Sequence, residues 1–462
     1  MSKGELALNT FTAKLKYGLA VLSFVTVLLS LQLILAPKAN ATTYNVNTVS
    51  DPTGCGFLEA LAEINATPIP GATCPAASAP NTINVAAGTY TLPTAIPPLT
   101  TDGDLTIVGE NPITTIINGA GFSGITINPP SATNTYSISN MTFENFTQVP
   151  VFPPQSVITI ASGSTSVNNI VARNNSCTDL GSIPSCAFFA AEGSGGSNVT
   201  ITNSAFYLNT APVLVYISAT SNDMAATITN NTFSSNNGAA LQLLSTSDNL
   251  NISATITNNT FANNNINTSD YPIPPSAFAG ASTAMNFNFE NGFAEMYNGT
   301  FTIKNNILSN NTIDGTTPAN CQDPAKTGDN TTITSLGGNI SSDNTCSSYF
   351  TNTNDLNNTD PQLQALTQLG TTFVRPIGNT SPAYNNAIAT GAPSTDQRGV
   401  SRPQNGAYDS GAFEYVGPAP SGGSGSGASL ASTGWDTKIP SLVAGLLLFS
   451  GLMITGYSIK RR

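Results

Sequence analysis

The 462-residue chain has no histidine and one tryptophan, and only 8% of its residues are charged. Without histidine it cannot assemble a histidine-based hydrolase site, and without a C-x-x-C pair it lacks the usual zinc ligand pattern. Its net charge of -11 disfavours nucleic acids and polyanionic glycans, which are bound through Lys and Arg. We therefore predict no cofactor, no metal site and no nucleic-acid partner, and neutral glycans, proteins and calcium remain open as ligands.

The N-terminus has the layout of a secretory signal. Basic residues near Lys3 precede an apolar run from Leu19 to Leu35, and the small-residue triplet Ala39-Asn40-Ala41 follows. This order predicts a signal peptide over residues 1–41 with cleavage before Thr42. An uncleaved membrane anchor is the alternative, because the apolar run is long.

The C-terminus contains four segments in a fixed order. A Gly/Ser-rich stretch from Gly417 is too poor in apolar side chains to pack, so it is predicted to be a flexible linker. The pentapeptide Leu430-Ala431-Ser432-Thr433-Gly434 follows it. The apolar run Ile439 to Ile459 is long enough to cross a bilayer, and Lys460-Arg461-Arg462 would stay on the cytoplasmic side.

This order resembles the cell-wall sorting signals that sortases process, in the L-A-x-T-G variant of the L-P-x-T-G pentapeptide. The resemblance implies that a sortase attacks the carbonyl group of Thr433, releases Gly434 with the membrane segment and joins Thr433 to an envelope amine. A sortase and an amine acceptor are then the expected partners, with the membrane contacted through the C-terminal segment. A plain single-span anchor is the alternative, because Ala431 replaces proline.

The six cysteines form pairs that are close in sequence. Cys55 lies near Cys74, Cys177 near Cys186, and Cys321 near Cys346. Proximity predicts these three disulfides among 15 possible pairings. In an exported protein, which reaches an oxidising environment, an even number of cysteines is expected to form structural disulfides.

An internal repeat predicts the fold. The octapeptide Ala226-Thr-Ile-Thr-Asn-Asn-Thr-Phe233 recurs from Ala254 to Phe261. Six segments share an aliphatic residue, at Ile138, Val167, Ile201, Ile228, Ile256 and Ile303. Two positions later each has an asparagine, at Asn140, Asn169, Asn203, Asn230, Asn258 and Asn305. Five positions later stand mostly large apolar residues, at Phe143, Ala172, Phe206, Phe233, Phe261 and Leu308.

The repeats are 27 to 47 residues apart, so loop length varies around a constant strand pattern. This favours an all-β parallel β-helix, a solenoid with two or three strands in each coil. Equivalent side chains would stack about 4.8 Å apart, with aliphatic and phenylalanine columns inside and a structural asparagine ladder between coils. A β-propeller is the less favoured alternative because its blades are more regular.

Two regions resemble a known family of bacterial surface proteins. Cys55, Glu59, Ala60 and Asn65 match its N-terminal C-S-L-R-E-A-I motif and following asparagine, with Gly56 and Leu58 replacing Ser and Arg. The segment Phe57 to Ile64 is predicted to be a short amphipathic capping helix. The C-terminal matches are Asn320-Cys321, Gly338 to Asp343, Cys346, Asp360 to Leu363, Ser381 to Ala383, Thr395 to Gly399 and Tyr408 to Glu414.

These C-terminal matches resemble the choice-of-anchor Q type. The resemblance implies a right-handed β-helix of the pectin-lyase-like type, mostly without an assigned activity. It predicts an N-terminal cap and first coils over 42–125, central repeats over 126–315 and C-terminal coils and cap over 316–416. The linker with the sorting motif then spans 417–438, and the membrane segment with its basic tail spans 439–462.

No catalytic residue is predicted. Arg173 and Lys304 are the only basic residues of the central coils, with no acidic column beside them, so lyase chemistry is poorly supported. Glu144, Glu290 and Glu295 would allow a two-carboxylate glycosidase if they faced one groove. Asp102-Gly103-Asp104 is predicted to form a turn. Arg398 is predicted to pair with Asp396, Asp409 or Glu414 within the terminal cap.

The leading functional prediction is an extracellular adhesin or envelope-structural protein without catalytic activity. The alternative is a wall-attached polysaccharide-degrading enzyme, either a glycoside hydrolase or a lyase. Aromatic residues between Tyr271 and Tyr297 would suit a binding loop for neutral sugars or protein. The competing interpretation is that Met285 to Phe289 is another inward-facing strand.

Overall fold

A computed structural model describes residues 41–100, 102–148, 156–177, 187–193, 198–245, 249–267, 285–286, 298–321 and 330–417. Within these ranges the protein is all-β, with three long, mainly parallel sheets, one antiparallel hairpin and one helix. No helix in the described ranges has the length and hydropathy needed to cross a bilayer. The predicted signal peptide up to Asn40 and the predicted span Ile439 to Ile459 lie outside the described residues.

Sheets 1 and 2 are parallel throughout the part that the structure describes. The strands of sheet 1 are Thr42–Val46, Asn81–Val85, Leu105–Gly109, Thr135–Ser139, Ser164–Asn168, Asn198–Thr202, Met224–Thr229, Ile252–Thr257, Asn298–Lys304 and Asn330–Ser335. The strands of sheet 2 are Gly88–Thr91, Thr115–Asn118, Thr142–Glu144, Val171–Arg173, Ala205–Tyr207, Thr232–Ser234, Thr260–Ala262, Ile307–Ser309 and Ile340–Ser341.

Sheet 3 is less regular. Its strands are Ile125–Ile127, Thr147–Gln148, Ile158–Ile160, Ser176–Cys177, Ala187–Gly193, Thr210–Ala219, Asn237–Ser245, Asn265–Ile266, Met285–Asn286, Thr312–Ile313 and Thr317–Pro318. From Leu105 to Ile313 the chain visits sheets 1, 2 and 3 in turn, so each turn of the chain adds one rung to every sheet. This arrangement is consistent with a parallel β-helix.

The core consists of columns of equivalent residues in register. The six predicted aliphatic positions are directly paired from coil to coil in sheet 1, and Ile201, Ile228 and Ile256 are fully buried. The predicted aromatic column is likewise in register in sheet 2. Phe206, Phe233 and Phe261 stack face to face, with ring centroids 4.6 and 5.0 Å apart. Stacking identical rungs therefore buries one continuous apolar core.

Residues in left-handed backbone conformation turn the chain between strands. The six asparagines of the predicted ladder all have φ between 52° and 59°, where sheet 1 leads into sheet 2. A second set stands five positions later, at Asn145, Asn174, Leu208, Ser235, Asn263 and Asn310, with φ between 53° and 58°. Asparagine tolerates this conformation better than most residues, which explains its frequency at both corners.

The outer face of sheet 1 carries a column of hydroxyl side chains that we call the hydroxyl column. Its members are Thr43, Thr82, Thr106, Ser137, Ser166, Thr200, Thr227, Thr255, Thr302 and Thr334, each in register with the next. All of them are exposed or half-buried. The alternation of inward aliphatic and outward hydroxyl side chains is the two-residue period of a strand with one buried face.

A helix and a disulfide cover the N-terminal end of the core. The helix Phe57–Ile64 buries Phe57, Leu61 and Ile64 against the first coils, as the sequence predicts. Glu59 is buried although it is charged, and its carboxylate accepts hydrogen bonds from Ser50 Oγ at 2.6 Å and from the Asp51 backbone N–H at 2.9 Å. The charge therefore has partners inside the cap.

The segment after sheet 2 folds back over the outer face of that sheet. It contains the antiparallel hairpin of Thr367–Leu369 and Thr372–Val374. The Phe373 ring packs on the Tyr207 ring at 4.7 Å, Gln397 Oε1 accepts a hydrogen bond from Thr232 Oγ1 at 2.6 Å, and the Ala412 N–H donates to Thr260 Oγ1 at 3.0 Å. We call residues 361–415 the C-terminal layer.

Candidate functional site

The predicted asparagine ladder lies at the first corner, and its amides bridge some of the coils. Asn169 Nδ2 donates to Asn140 Oδ1 at 2.9 Å, and Asn305 Nδ2 donates to Asn258 Oδ1 at 3.1 Å. Asn230 Nδ2 donates to Asn203 Oδ1 at 3.3 Å and to the Thr395 carbonyl oxygen at 2.8 Å. These asparagines therefore combine three tasks, which are turning the chain, bridging coils and holding the C-terminal layer.

Two buried ladders lie one residue further along the chain. In the first, Asn231 donates to Asn259 at 3.0 Å, Asn259 to Asn306 at 3.1 Å, and Asn306 to Asn339 at 3.1 Å. The ladder ends on the carboxylate of Asp355, which accepts from Asn339 Nδ2 at 3.0 Å. Each amide of this ladder also donates to a backbone carbonyl of a neighbouring coil, as Asn259 does to Ile228 at 2.8 Å.

The second buried ladder follows the other corner. Its members Asn175, Asn209, Asn236, Asn264, Asn311 and Asn320 donate to one another in series over 2.8 to 3.0 Å. Sequence reasoning missed both ladders. The signal was present in the repeat, because asparagine also recurs three and eight positions after the aliphatic residue.

Two of the three predicted disulfides are formed in the structure. Cys55 and Cys74 join the residues before the helix to the loop that follows it, and Cys321 and Cys346 join segments near the other end of the sheets. Cys177 is buried, and its predicted partner Cys186 lies outside the described residues. The two bridges thus lie near the first and last coils.

Two of the residues considered for catalysis, Glu144 and Arg173, form a cluster on the outer face of sheet 2. Glu144 Oε2 accepts a hydrogen bond from Arg173 Nε at 2.8 Å, with Nη2 2.7 Å from the same oxygen. Arg173 Nη1 also donates to the Tyr207 hydroxyl at 3.3 Å, and Asn118 Nδ2 donates to Glu144 Oε1 at 3.2 Å. The side chain of Arg173 is 28% exposed, so the cluster can be reached from solvent.

The register around this cluster offers one carboxylate. Asn118, Glu144, Arg173, Tyr207 and Ser234 occupy successive rungs of one outward column. A glycosidase needs two carboxyl groups flanking the scissile bond, and the other candidates, Glu290 and Glu295, lie outside the described residues. Both oxygens of the Glu144 carboxylate already accept hydrogen bonds, one from Arg173 and one from Asn118.

The other basic residue of the central coils, Lys304, is covered by the C-terminal layer. It is 5% exposed, and its Nζ donates to the Thr390 carbonyl oxygen at 2.9 Å. Burial lowers the pKa of Lys304. Its position under the layer keeps substrate away, so its described contacts are those of a structural residue.

Ion pairs organise the C-terminal layer. Arg398 pairs with Asp396 at 2.6 Å, one of the predicted alternatives, and its guanidinium stacks on the Phe413 ring at 3.8 Å. Sequence reasoning missed a second pair, in which Arg402 and Glu414, both with fully buried side chains, meet at 2.8 Å. Arg402 also donates to the carbonyl oxygens of Asp409 and Gly411, both at 2.8 Å.

Asp409 lies beside this second pair. Its carboxylate accepts from the backbone N–H groups of Asn385 at 2.7 Å and Tyr415 at 2.6 Å. Burial raises the pKa of Asp409 to about 6 despite these two donors. The pairing of Asp409 is therefore with backbone N–H groups rather than with Arg398.

The described ranges contain no cluster of three or more acidic or cysteine side chains that could hold a metal ion. Asp104 Oδ1 accepts from the Thr135 backbone N–H at 2.7 Å, and Asp102 accepts from Asn134, so both aspartates tie their turn to the next coil. Met285–Asn286 pairs with Leu241 and Gln242 as a strand of sheet 3. The aromatic residues of that insertion and the pentapeptide Leu430 to Gly434 lie outside the described residues.

No family model, curated protein or solved structure matches this chain.

Proposed function

We propose that this chain is an exported bacterial surface protein whose stacked coils act as an adhesin or envelope-structural protein without catalytic activity. The proposed binding of a ligand rests on the cluster of Glu144, Arg173 and Tyr207 on sheet 2, whose polar groups pair with one another. Glu144 and Arg173 neutralise each other at 2.7 Å, which leaves a polar surface suited to contact with a neutral ligand. Neutral glycans or proteins are the proposed ligands.

Export and attachment are proposed from the two ends of the chain. The signal region before Thr42 and the segments from Leu430 to Arg462 have the order of exported, sortase-anchored proteins. Disulfides at Cys55–Cys74 and Cys321–Cys346 support an oxidising compartment. The mature chain would be attached through Thr433 to an amine of the cell wall or membrane.

The family assignment and the handedness of the coils belong to the same proposal. The four residues that match the N-terminal motif all have structural contacts. Cys55 is bridged, Glu59 accepts from Ser50, Ala60 is buried, and Asn65 Nδ2 donates to the Pro98 carbonyl oxygen at 3.0 Å. These contacts support a capping role for the motif, and the resemblance of that motif implies a right-handed, pectin-lyase-like coil stack.

A glycan and protein binding array tests the proposed function. The full chain should bind a neutral glycan or a protein, and Arg173→Ala should weaken that binding because it removes the partly exposed side chain of the sheet 2 cluster. The Thr147→Ala variant on sheet 3 is the matched control, because its exposed side chain lies away from the cluster. Lack of binding to every member of the array would count against the adhesin part of the proposal.

The partly exposed Glu144–Arg173–Tyr207 cluster also favours a second candidate, a wall-attached polysaccharide-degrading enzyme. Incubation of the chain with a broad polysaccharide panel separates the two. Release of reducing ends or of unsaturated products that is abolished in Glu144→Gln would establish the enzyme and overturn the non-catalytic proposal.

A further inference from the structure

The outer face of sheet 1 differs from that of sheet 2 in what covers it. The C-terminal layer packs on sheet 2 and reaches Lys304 at the end of one strand of sheet 1, whereas Thr227 and Thr255 of the hydroxyl column are exposed. No hydroxyl of the column makes a side-chain hydrogen bond within the described ranges. The face thus presents polar groups that the fold itself does not use.

Geometry explains why these hydroxyls stay unpaired. Adjacent rungs are about 4.8 Å apart, which exceeds the reach of a hydrogen bond between two hydroxyl oxygens. The asparagine ladders close this distance because an amide is longer, but a threonine cannot. Each hydroxyl therefore remains available to water or to another external partner.

The array is regular in two directions. Thr300 and Thr302 lie on the same face of one strand, and Thr332 and Thr334 repeat them in register on the next, all four exposed or half-buried. The repeat is about 4.8 Å between strands and about 6.6 Å along each strand. Threonine is restricted at χ1 by its branched Cβ, so hydroxyls and methyl groups keep fixed orientations. Binding of a periodic partner would therefore cost little free energy, because the side chains of this surface are already ordered.

The chemistry of the face narrows the partner. The hydroxyl column contains no charged and no aromatic residue, so it offers neither ion pairing nor the ring faces on which sugars stack. It offers hydroxyl and methyl groups in a two-dimensional lattice. Hexagonal ice presents oxygen atoms at repeats of the same order, and water bridges polar groups at little cost.

We propose that the hydroxyl column of sheet 1 binds ice, with ordered water between the threonine hydroxyls and methyl groups joining the face to the crystal. This inference goes beyond the proposed adhesin role and does not depend on where the chain is located. The partner is the ice lattice itself, and a crystalline polysaccharide is the competing occupant.

Partition into a slowly growing ice front tests the proposal. The purified full chain should enter the ice in excess of a non-binding control protein in the same buffer and should slow recrystallisation. Thr227→Lys combined with Thr255→Lys should reduce both effects to the control level, because the long charged side chains disrupt the lattice at adjacent rungs. Thr89→Lys, an exposed threonine on a strand of sheet 2, should leave them unchanged.

Equal circular dichroism spectra and melting temperatures of the variants show that the fold is intact. Exclusion of the wild-type chain from ice, or equal partition of the double variant, would overturn the proposal. Retention on crystalline cellulose or chitin without ice partition would assign the face to polysaccharide instead. Because the assay uses purified protein, its failure leaves the proposed surface attachment standing.

Discussion

The coil stack and the C-terminal layer are stabilised in different ways. In the coils, neutral side chains repeat from rung to rung, as in the Phe206–Phe233–Phe261 stack and the ladder through Asn236 and Asn264. In the layer, charged groups meet once each, as in the Arg402–Glu414 pair. The same chain therefore combines a repetitive neutral region with a charged region that has no repeat.

The coils and the C-terminal layer differ in how well they tolerate changes in sequence. In a ladder of identical amides every rung makes the same contacts with the rungs beside it. Loops of different length between the rungs are therefore tolerated. A buried ion pair requires two particular residues in one geometry, and removal of either leaves a charge without a partner. The layer thus locks one defined arrangement onto sheet 2, whereas the coils supply a general scaffold.

The largest expected effect is in the layer. Arg402→Met leaves the buried Glu414 carboxylate without its cation and should destabilise the protein by about 3–5 kcal/mol. Arg173→Met breaks a partly exposed pair and should cost about 1 kcal/mol or less. Midpoints of urea denaturation would measure both, and equal losses would contradict the contrast between buried and exposed pairs.

The coil interior should respond almost as strongly. Phe233→Ala removes the middle ring of the stack and should cost about 3–5 kcal/mol, because the neighbouring rings cannot close the cavity. Phe122→Ala is the control, since that ring is 37% exposed. Thermal denaturation of both variants would test the column, and similar shifts would argue against rung stacking as its source of stability.

A pH effect is expected in the layer. The raised pKa of Asp409, about 6, means that the folded protein binds this proton more tightly than the unfolded chain, whose ordinary pKa is 3.8. The contribution of Asp409 to stability is thus present in acid and is lost as the pH rises through about 6. Asp409→Asn should flatten the stability difference between pH 4 and pH 7, measured as denaturation midpoints. If Asp409→Asn left the pH dependence of stability unchanged, the raised pKa of Asp409 would be contradicted.

The smallest effect should have the opposite sign. Leu208 occupies a corner with φ of 55° and is 56% exposed, where four other coils have asparagine. Leu208→Asn should stabilise the protein by about 1 kcal/mol, because asparagine tolerates left-handed backbone better. Asn174→Leu at the same corner of the preceding coil should destabilise it by a similar amount. A loss of stability in Leu208→Asn would refute the corner rule.

Much of the coil stack follows from the sequence repeat. The aliphatic and aromatic columns could be predicted because a rung buries the same positions in every coil, as Ile228 and Ile256 do. The two buried asparagine ladders were not predicted, because only the asparagine two positions after the aliphatic residue is present in all six segments. The position of Asn231 is asparagine in three of the six segments and that of Asn236 in five; both residues are buried, whereas Asn230 turns the chain.

The layer could not be predicted in the same way. Its contacts join residues far apart in sequence, such as Thr232 with Gln397 and Arg375 with Ser234, and no periodicity connects them. Only a pair that is close in sequence could be predicted, as for Arg398 with Asp396 two positions away. The members of the hydroxyl column are far apart in sequence, and only the register of sheet 1 places them side by side.

Attachment through Thr433 is the central claim of the proposed function, and the C-terminal end of the mature chain tests it most directly. Mass spectrometry of the protein released from purified cell walls should find a last peptide that ends at Thr433 and carries a fragment of the envelope amine. The Thr433→Ala variant should instead retain Arg462 and remain in the membrane fraction. Wild-type protein that is extracted by detergent with Arg462 intact would contradict sortase attachment.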